Sequence, residues 1–102
     1  MFASVMRMSG RMGKEEATRV INQMLPRGQS IPGLKGGLVL LDEKGGTGLA
    51  IGFYESEEVA RASAEARDRL RKDAASGVGA SIASLESYEV VFASGLAELI
   101  QA

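Results

Sequence analysis

The run Leu34-Lys35-Gly36-Gly37-Leu38-Val39-Leu40-Leu41-Asp42-Glu43-Lys44-Gly45-Gly46-Thr47-Gly48-Leu49-Ala50-Ile51-Gly52-Phe53-Tyr54 decides the fold. Leu38 to Leu41 is apolar without alternation, as in a strand covered on both faces. Asp42 to Gly46 has the composition of a hairpin turn. After it, Leu49, Ile51 and Phe53 fall on one face of a strand, and Gly48, Ala50, Gly52 and Tyr54 on the other. Two antiparallel strands, Leu34–Leu41 and Thr47–Tyr54, therefore fill the middle of the chain.

On the amino-terminal side, Phe2–Ser9 reads as a strand rich in Phe, Val and Met, and Gly10 to Gly13 breaks it. From Lys14 the period changes: Ala17, Val20, Ile21, Met24 and Leu25 make one apolar helical stripe. Glu15 and Glu16 suit its first turn. Pro26 disfavours helical geometry at Leu25, which predicts an end or kink there. On the carboxy-terminal side, Ser56 is a good N-cap for a helix that turns Val59, Ala62, Ala66 and Leu70 inward. Arg67, Arg69, Arg71 and Lys72 read as its solvated, dipole-favoured end, and Gly77 and Gly79 stop it. The last strand is predicted over Leu85–Ala93. Residues 95–102 form a tail with a short helical pattern in Leu96, Leu99 and Ile100.

The order strand–helix–strand–strand–helix–strand, joined by right-handed crossovers, predicts a ferredoxin-like βαββαβ fold of the α+β class. It is a four-stranded antiparallel sheet with both helices on one face, a single domain over residues 1–94 followed by the tail. Two helices cover one face only. The other presents either Leu38, Leu40, Leu49, Ile51 and Phe53 or their alternates, because one residue of hairpin register swaps the set. Either choice leaves an apolar surface that monomers avoid, so a homodimer with sheets face to face is expected. The tail folded across its own sheet is the alternative cover.

Composition narrows the chemistry. The chain has 102 residues, 45% apolar and 25% charged, with a net charge of −1. That balance argues against nucleic acid or an anionic membrane as the main partner. Without Cys, His or Trp, it has no disulfides, no thiolate chemistry, no zinc site of the usual kind and no Ser-His-Asp triad. No metal and no cofactor are expected. Neither a signal peptide nor a membrane span is recognisable, and the expectation is a cytoplasmic protein.

Three landmarks carry a resemblance: Ile31-Pro32-Gly33-Leu34-Lys35-Gly36 leading into the second strand, Phe53-Tyr54-Glu55-Ser56-Glu57-Glu58 between third strand and second helix, and Ser87-Tyr88-Glu89-Val90 in the last strand. In order and spacing they resemble the dimeric α/β-barrel superfamily, and within it the antibiotic biosynthesis monooxygenase (ABM)-like domains. The resemblance implies homodimers with facing sheets. Some members oxidise phenolic polyketide-type substrates with dioxygen and neither metal nor flavin, and others degrade haem. Two departures bear on activity: Tyr54 stands where members often have Trp, and the His used by characterised members in or after the second helix is missing. Haem degradation loses its axial ligand. Cofactor-free oxygenation must move protons with Tyr, Arg, Asn or carboxylates.

The resemblance and the small-residue face together give the candidate site. Gly48, Ala50 and Gly52, with Asn22 on the flank of the first helix, would line a pocket for a small apolar or aromatic ligand. The plainer reading is that glycine admits a closely packed helix or marks a bulge. Tyr54 and Tyr88 are the candidate phenolic donors, although tyrosine ordinarily has its ring in the core and its hydroxyl at the rim. Arg7, unusual inside an apolar strand, is the candidate anion-stabilising group, with solvent or a dimer partner as alternatives. Two functions follow: a cofactor-independent monooxygenase acting on an aromatic or quinone-like molecule, or a non-catalytic dimer that binds a small ligand or serves a stress-related or assembly role.

Overall fold

The computed structural model describes residues 1–95. Its strands are β1 (Phe2–Ser9), β2 (Leu34–Asp42), β3 (Thr47–Tyr54) and β4 (Ser81–Glu89), and its helices α1 (Lys14–Gln29), α2 (Glu57–Ala62) and α3 (Ala64–Gly77). The sheet order is β2-β3-β1-β4, and each neighbouring pair is antiparallel. This is the ferredoxin-like arrangement. The tail from residue 96 onward, including its predicted helical pattern, lies outside the described residues.

Register settles which side chains share a face. Met6 pairs with Ala50, Met8 with Gly48 and Ser4 with Gly52, and these residues face the helices. The opposite face carries Leu38 beside Ile51 and Leu40 beside Leu49, continued by Phe53 and Val5. Lys35 is the extra residue of a bulge, where Leu34 pairs with Tyr54 but Gly36 with Phe53. At the hairpin, Asp42 Oδ1 accepts from the Gly45 amide at 3.0 Å, and Gly46 has φ +65°.

Three boundaries differ from the sequence expectation. The first helix runs through Pro26 to Gln29. The proline leaves the Asn22 carbonyl without its helical donor, but both residues are exposed, so water supplies one. The second helix is two: the backbone leaves helical geometry at Ser63, whose buried hydroxyl returns to the Val59 and Ala60 carbonyls at 3.3 Å. The last strand starts four residues earlier than Leu85, because its limits are set by β1: Ser81 pairs with Ser9 and Glu89 with Phe2. One more bond, from the Val90 amide to the Met1 carbonyl at 2.9 Å, ends the ladder. Val91 and Phe92 then stand 88% and 83% exposed.

Helix α1 begins without a side-chain cap of its own. The hairpin provides one: Glu43 Oε1 accepts from the Lys14 amide at 2.7 Å, placing a carboxylate at the positive end of the helix. The core divides in two. Met6, Met8, Met12, Val20, Ala75 and Val78 form one cluster; Ile31, Tyr54 and Ala60 form the other. No described side chain is less than 2% exposed, so the space between the clusters is not filled.

Candidate functional site: a hollow between sheet and helices

That space is a cavity of about 630 Å³, within the range of small-molecule sites. Met6, Met8, Met12 and Met24 line much of it, with Ala50, Gly48 and Gly52 beneath. It opens between α1 and edge strand β2, where Ile21, Leu25 and Val39 are 37%, 53% and 43% exposed. Unbranched methionines fill irregular space adaptably and make a soft wall. A second, shallow hollow between the Gly10–Gly13 loop and the hairpin turn is lined by glycines with Arg11, Met12, Glu43 and Lys44, and there Glu43 already caps α1.

The cavity ends on a polar group. Arg67 and Arg71, one turn apart on α3, both donate to the buried hydroxyl of Ser4, Arg67 through Nη1 at 3.4 Å. The Arg67 guanidinium lies 5.2 Å from the centre of the Tyr54 ring, a cation–π contact. Arg71 also reaches Asp68 Oδ1 at 3.0 Å. Arg67 makes no ion pair among the described residues, and its Nε is buried without a hydrogen-bond partner. Burial pushes the Tyr54 phenol above its ordinary 10.0, against the pull of the two arginine charges. Burial, then repulsion from Arg67, lowers the Arg71 pKa.

The sheet separates the sequence-predicted site residues. Gly48, Ala50, Gly52 and Tyr54 line the cavity. At Gly52 an added Cβ would lie 3.3 Å from Leu34 Cδ1 and 3.4 Å from the Tyr54 ring; at Gly48 it would meet the Met12 methyl at 3.3 Å. The missing side chains thus admit Tyr54 and Met12 as well as the hollow. Arg7 and Tyr88 stand on the opposite face. There Tyr88 donates to Glu86 Oε1 at 2.7 Å, and Arg7 Nε lies 3.9 Å from Glu86 Oε2. That hydrogen bond lowers the Glu86 pKa and raises that of Tyr88. Asn22 is exposed on α1 and does not line the cavity.

Arg67 and Arg71 are the polar residues that the sequence reading assigned to solvent. Helix α3 runs from Ala64 to Gly77, so Arg67 sits in its first turn and Arg71 in its middle, neither at its carboxy-terminal end. The readable signal was a stripe: Ala60, Ser63, Arg67, Leu70, Arg71, Ala74 and Val78 keep helical spacing on one face. The apolar stripe through Ala62 is rotated from it by about one residue, and Ala62 is exposed.

No protein-family model matches the sequence, and no curated protein does. Solved structures match the fold. SnoaB, a cofactor-independent oxygenase from Streptomyces nogalater, superposes with a TM-score of 0.66 at 14% identity, covering 90% of this chain and 94% of its own. An ethyl tert-butyl ether d (ethd) family protein from Bacillus halodurans gives 0.60 at 18% identity, with 89% and 100% covered. A structure described as an antibiotic biosynthesis monooxygenase gives 0.54 at 12% identity, with 89% and 99% covered. The fold of this chain, a four-stranded antiparallel sheet with helices on one face, is therefore similar to that of these structures. No described helix is long and apolar enough to cross a membrane.

Proposed function

We propose that this protein is a cofactor-independent monooxygenase for an electron-rich aromatic or quinone-like small molecule bound in the helix-side cavity. The observation that carries the reading is an apolar hollow of about 630 Å³ ending on two guanidiniums. SnoaB, which shares the fold, is described as a cofactor-independent oxygenase, and that description supports the reading. Such chemistry draws its electrons from the substrate. The field of Arg67 and Arg71 in a weakly screened site favours the ionised form of an acidic C–H or O–H placed beside them. The carbanion of an activated CH2 then reduces dioxygen, and a C–O bond forms. The peroxide takes up a proton, the O–O bond breaks as the remaining C–H proton leaves, and the products are a ketone and one water. Dioxygen uptake with anthrone and hydroquinone-type compounds tests the reading. One dioxygen consumed per anthrone oxidised is expected, and no uptake above buffer across the panel refutes it.

One observation favours a second reading, a ligand-binding protein without turnover. Among the described residues, the cavity lining contains no carboxylate and no histidine, so none of them is a conventional base beside the substrate. This reading predicts that the same compounds raise the melting temperature without consuming dioxygen.

We infer also that the face bearing Leu38, Leu40, Leu49, Ile51 and Phe53 packs on a second copy of the chain. Each large side chain fully buried contributes roughly 1.5–3 kcal/mol, and the Arg7–Glu86–Tyr88 group would lie on the same interface. Light scattering at micromolar concentration should give twice the chain mass; a value near 10.7 kDa refutes the pairing.

A further inference from the structure

The polar end of the cavity has more donors and more positive charge than the described residues use. A guanidinium carries five N–H donors. Of those on Arg67 and Arg71, the hydrogen-bonded nitrogens are Nη1 of Arg67 and both terminal nitrogens of Arg71. Their shared acceptor is one neutral hydroxyl, that of Ser4, which is 5% exposed. The carboxylate of Asp68 is half exposed and serves Arg71 alone. Arg67 is held by a neutral hydroxyl and an aromatic face, with its Nε buried and unpartnered. Removing one buried partner ordinarily costs the full desolvation of the group left behind, so this arrangement is unfinished as it stands.

We propose that Arg67, Arg71 and Ser4 form a carboxylate-binding subsite, so that the cavity takes an aromatic carboxylic acid with its ring among the methionines and its carboxylate on the two guanidiniums. The inference rests on the cavity being a ligand site but not on turnover. Two forks one helical turn apart suit a planar group with two acceptor oxygens, whereas a phenolate offers one. The charge count also fits. With Asp68 already beside Arg71, the two guanidiniums leave one positive charge unmatched, and a single ligand carboxylate neutralises it.

The test is calorimetric titration of the intact protein with 2-naphthoate and with its neutral isostere 2-naphthamide. Naphthoate should bind about tenfold or more tightly than the amide, the scale of a charge-assisted hydrogen bond over a neutral one. Arg67→Gln and Arg71→Gln should each remove that preference, so that the ratio of naphthoate to naphthamide affinity falls to about one. Arg69→Gln, which deletes the same charge from the exposed side of α3, should retain it. Equal affinity of the unaltered protein for both compounds overturns the subsite and leaves the cavity intact as a ligand site. Loss of the preference in Arg69→Gln as well overturns it in favour of diffuse charge. Binding of neither compound overturns the cavity reading and the subsite together. The comparison on unaltered protein decides the matter even if a substituted chain fails to fold.

Discussion

Gly33→Ala is the substitution whose cost the structure fixes best. Gly33 has φ +80°, a region that costs an L-residue about 1–2 kcal/mol. Its absent Cβ would lie 1.7 Å from Val59 Cγ1 and 3.2 Å from Val59 Cβ. The valine is held by α2, whose N-cap Ser56 accepts from the Val59 amide at 3.2 Å, so either the helix or the turn must move. Overpacking of this kind costs about 1–3 kcal/mol. The two terms add to roughly 2–5 kcal/mol, against the roughly 5–15 kcal/mol that holds a domain folded. Urea unfolding followed by far-ultraviolet circular dichroism, at fixed protomer concentration, should show a lower midpoint with an unchanged slope. The clash and the backbone terms separate in a double-mutant cycle. Val59→Ala in the Gly33→Ala background should recover the steric part, about 1–3 kcal/mol, and leave the φ cost. A Gly33→Ala chain within about 0.5 kcal/mol of the parent would refute the reasoning, since that is the range of neutral surface changes. Strict additivity in the cycle would refute the steric half alone. The turn matters to the site because it delivers Ile31 and Leu34 against Tyr54 at the cavity wall.

The remaining expectations concern the site and its supports. The Tyr54 phenol is raised above 10.0 by burial, so the folded chain keeps that proton longer than the unfolded one. Stability from the neutral phenol is whole below about pH 10 and is lost as pH rises through the higher folded value; Tyr54→Phe should flatten the alkaline limb of a melting-temperature profile, and an unchanged limb would refute the assignment. Gly52→Val should displace the Tyr54 ring and Leu34, cost about 1–3 kcal/mol, and weaken binding of 2-naphthamide; unchanged affinity would show that the hollow is not where that ligand sits. Glu43→Ala should destabilise by about 0.5–2 kcal/mol, as lost helix caps do, with amide exchange accelerated in the first turn of α1; unaltered exchange at Lys14 would refute the hairpin cap.

The strand order was legible because it rests on local signals that agree: alternation in β3, turn chemistry at Asp42–Gly46 and a glycine break after β1. What stayed hidden depended on partners distant in sequence. β4 reads as a serine-rich loop, Ser81-Ile82-Ala83-Ser84, until β1 offers it a ladder. Pro26 looks like a terminator until its orphaned carbonyl is seen to face water. The arginines of α3 were missed for a different reason. Inward positions are conventionally assigned by apolarity, and that rule fails where the helix faces a cavity instead of a packed core. The signal available was polar residues, Ser63, Arg67 and Arg71, in phase with Ala60, Ala74 and Val78. Such a conflict between local rule and global fold is where functional sites are expected.

The cavity itself cannot be an empty void. At about 24 cal/mol per Å³ of residual cavity, a dry hollow of this volume would cost about 15 kcal/mol, as much as the whole stability of a domain. The penalty is avoided because the hollow opens between α1 and β2 and ends on groups that hold water well. Water has partners at Arg67, Arg71 and Ser4 but few along the methionine walls. An apolar ring entering the mouth therefore displaces its least-bonded water at a gain. A neutral ligand gains from the same displacement of wall water but brings no charged acceptor to the guanidinium donors. A ligand bringing its own two oxygens replaces the acceptors as it displaces the water. In the proposed subsite, the shape of the hollow would select for a ring and the charge at its end for an acid.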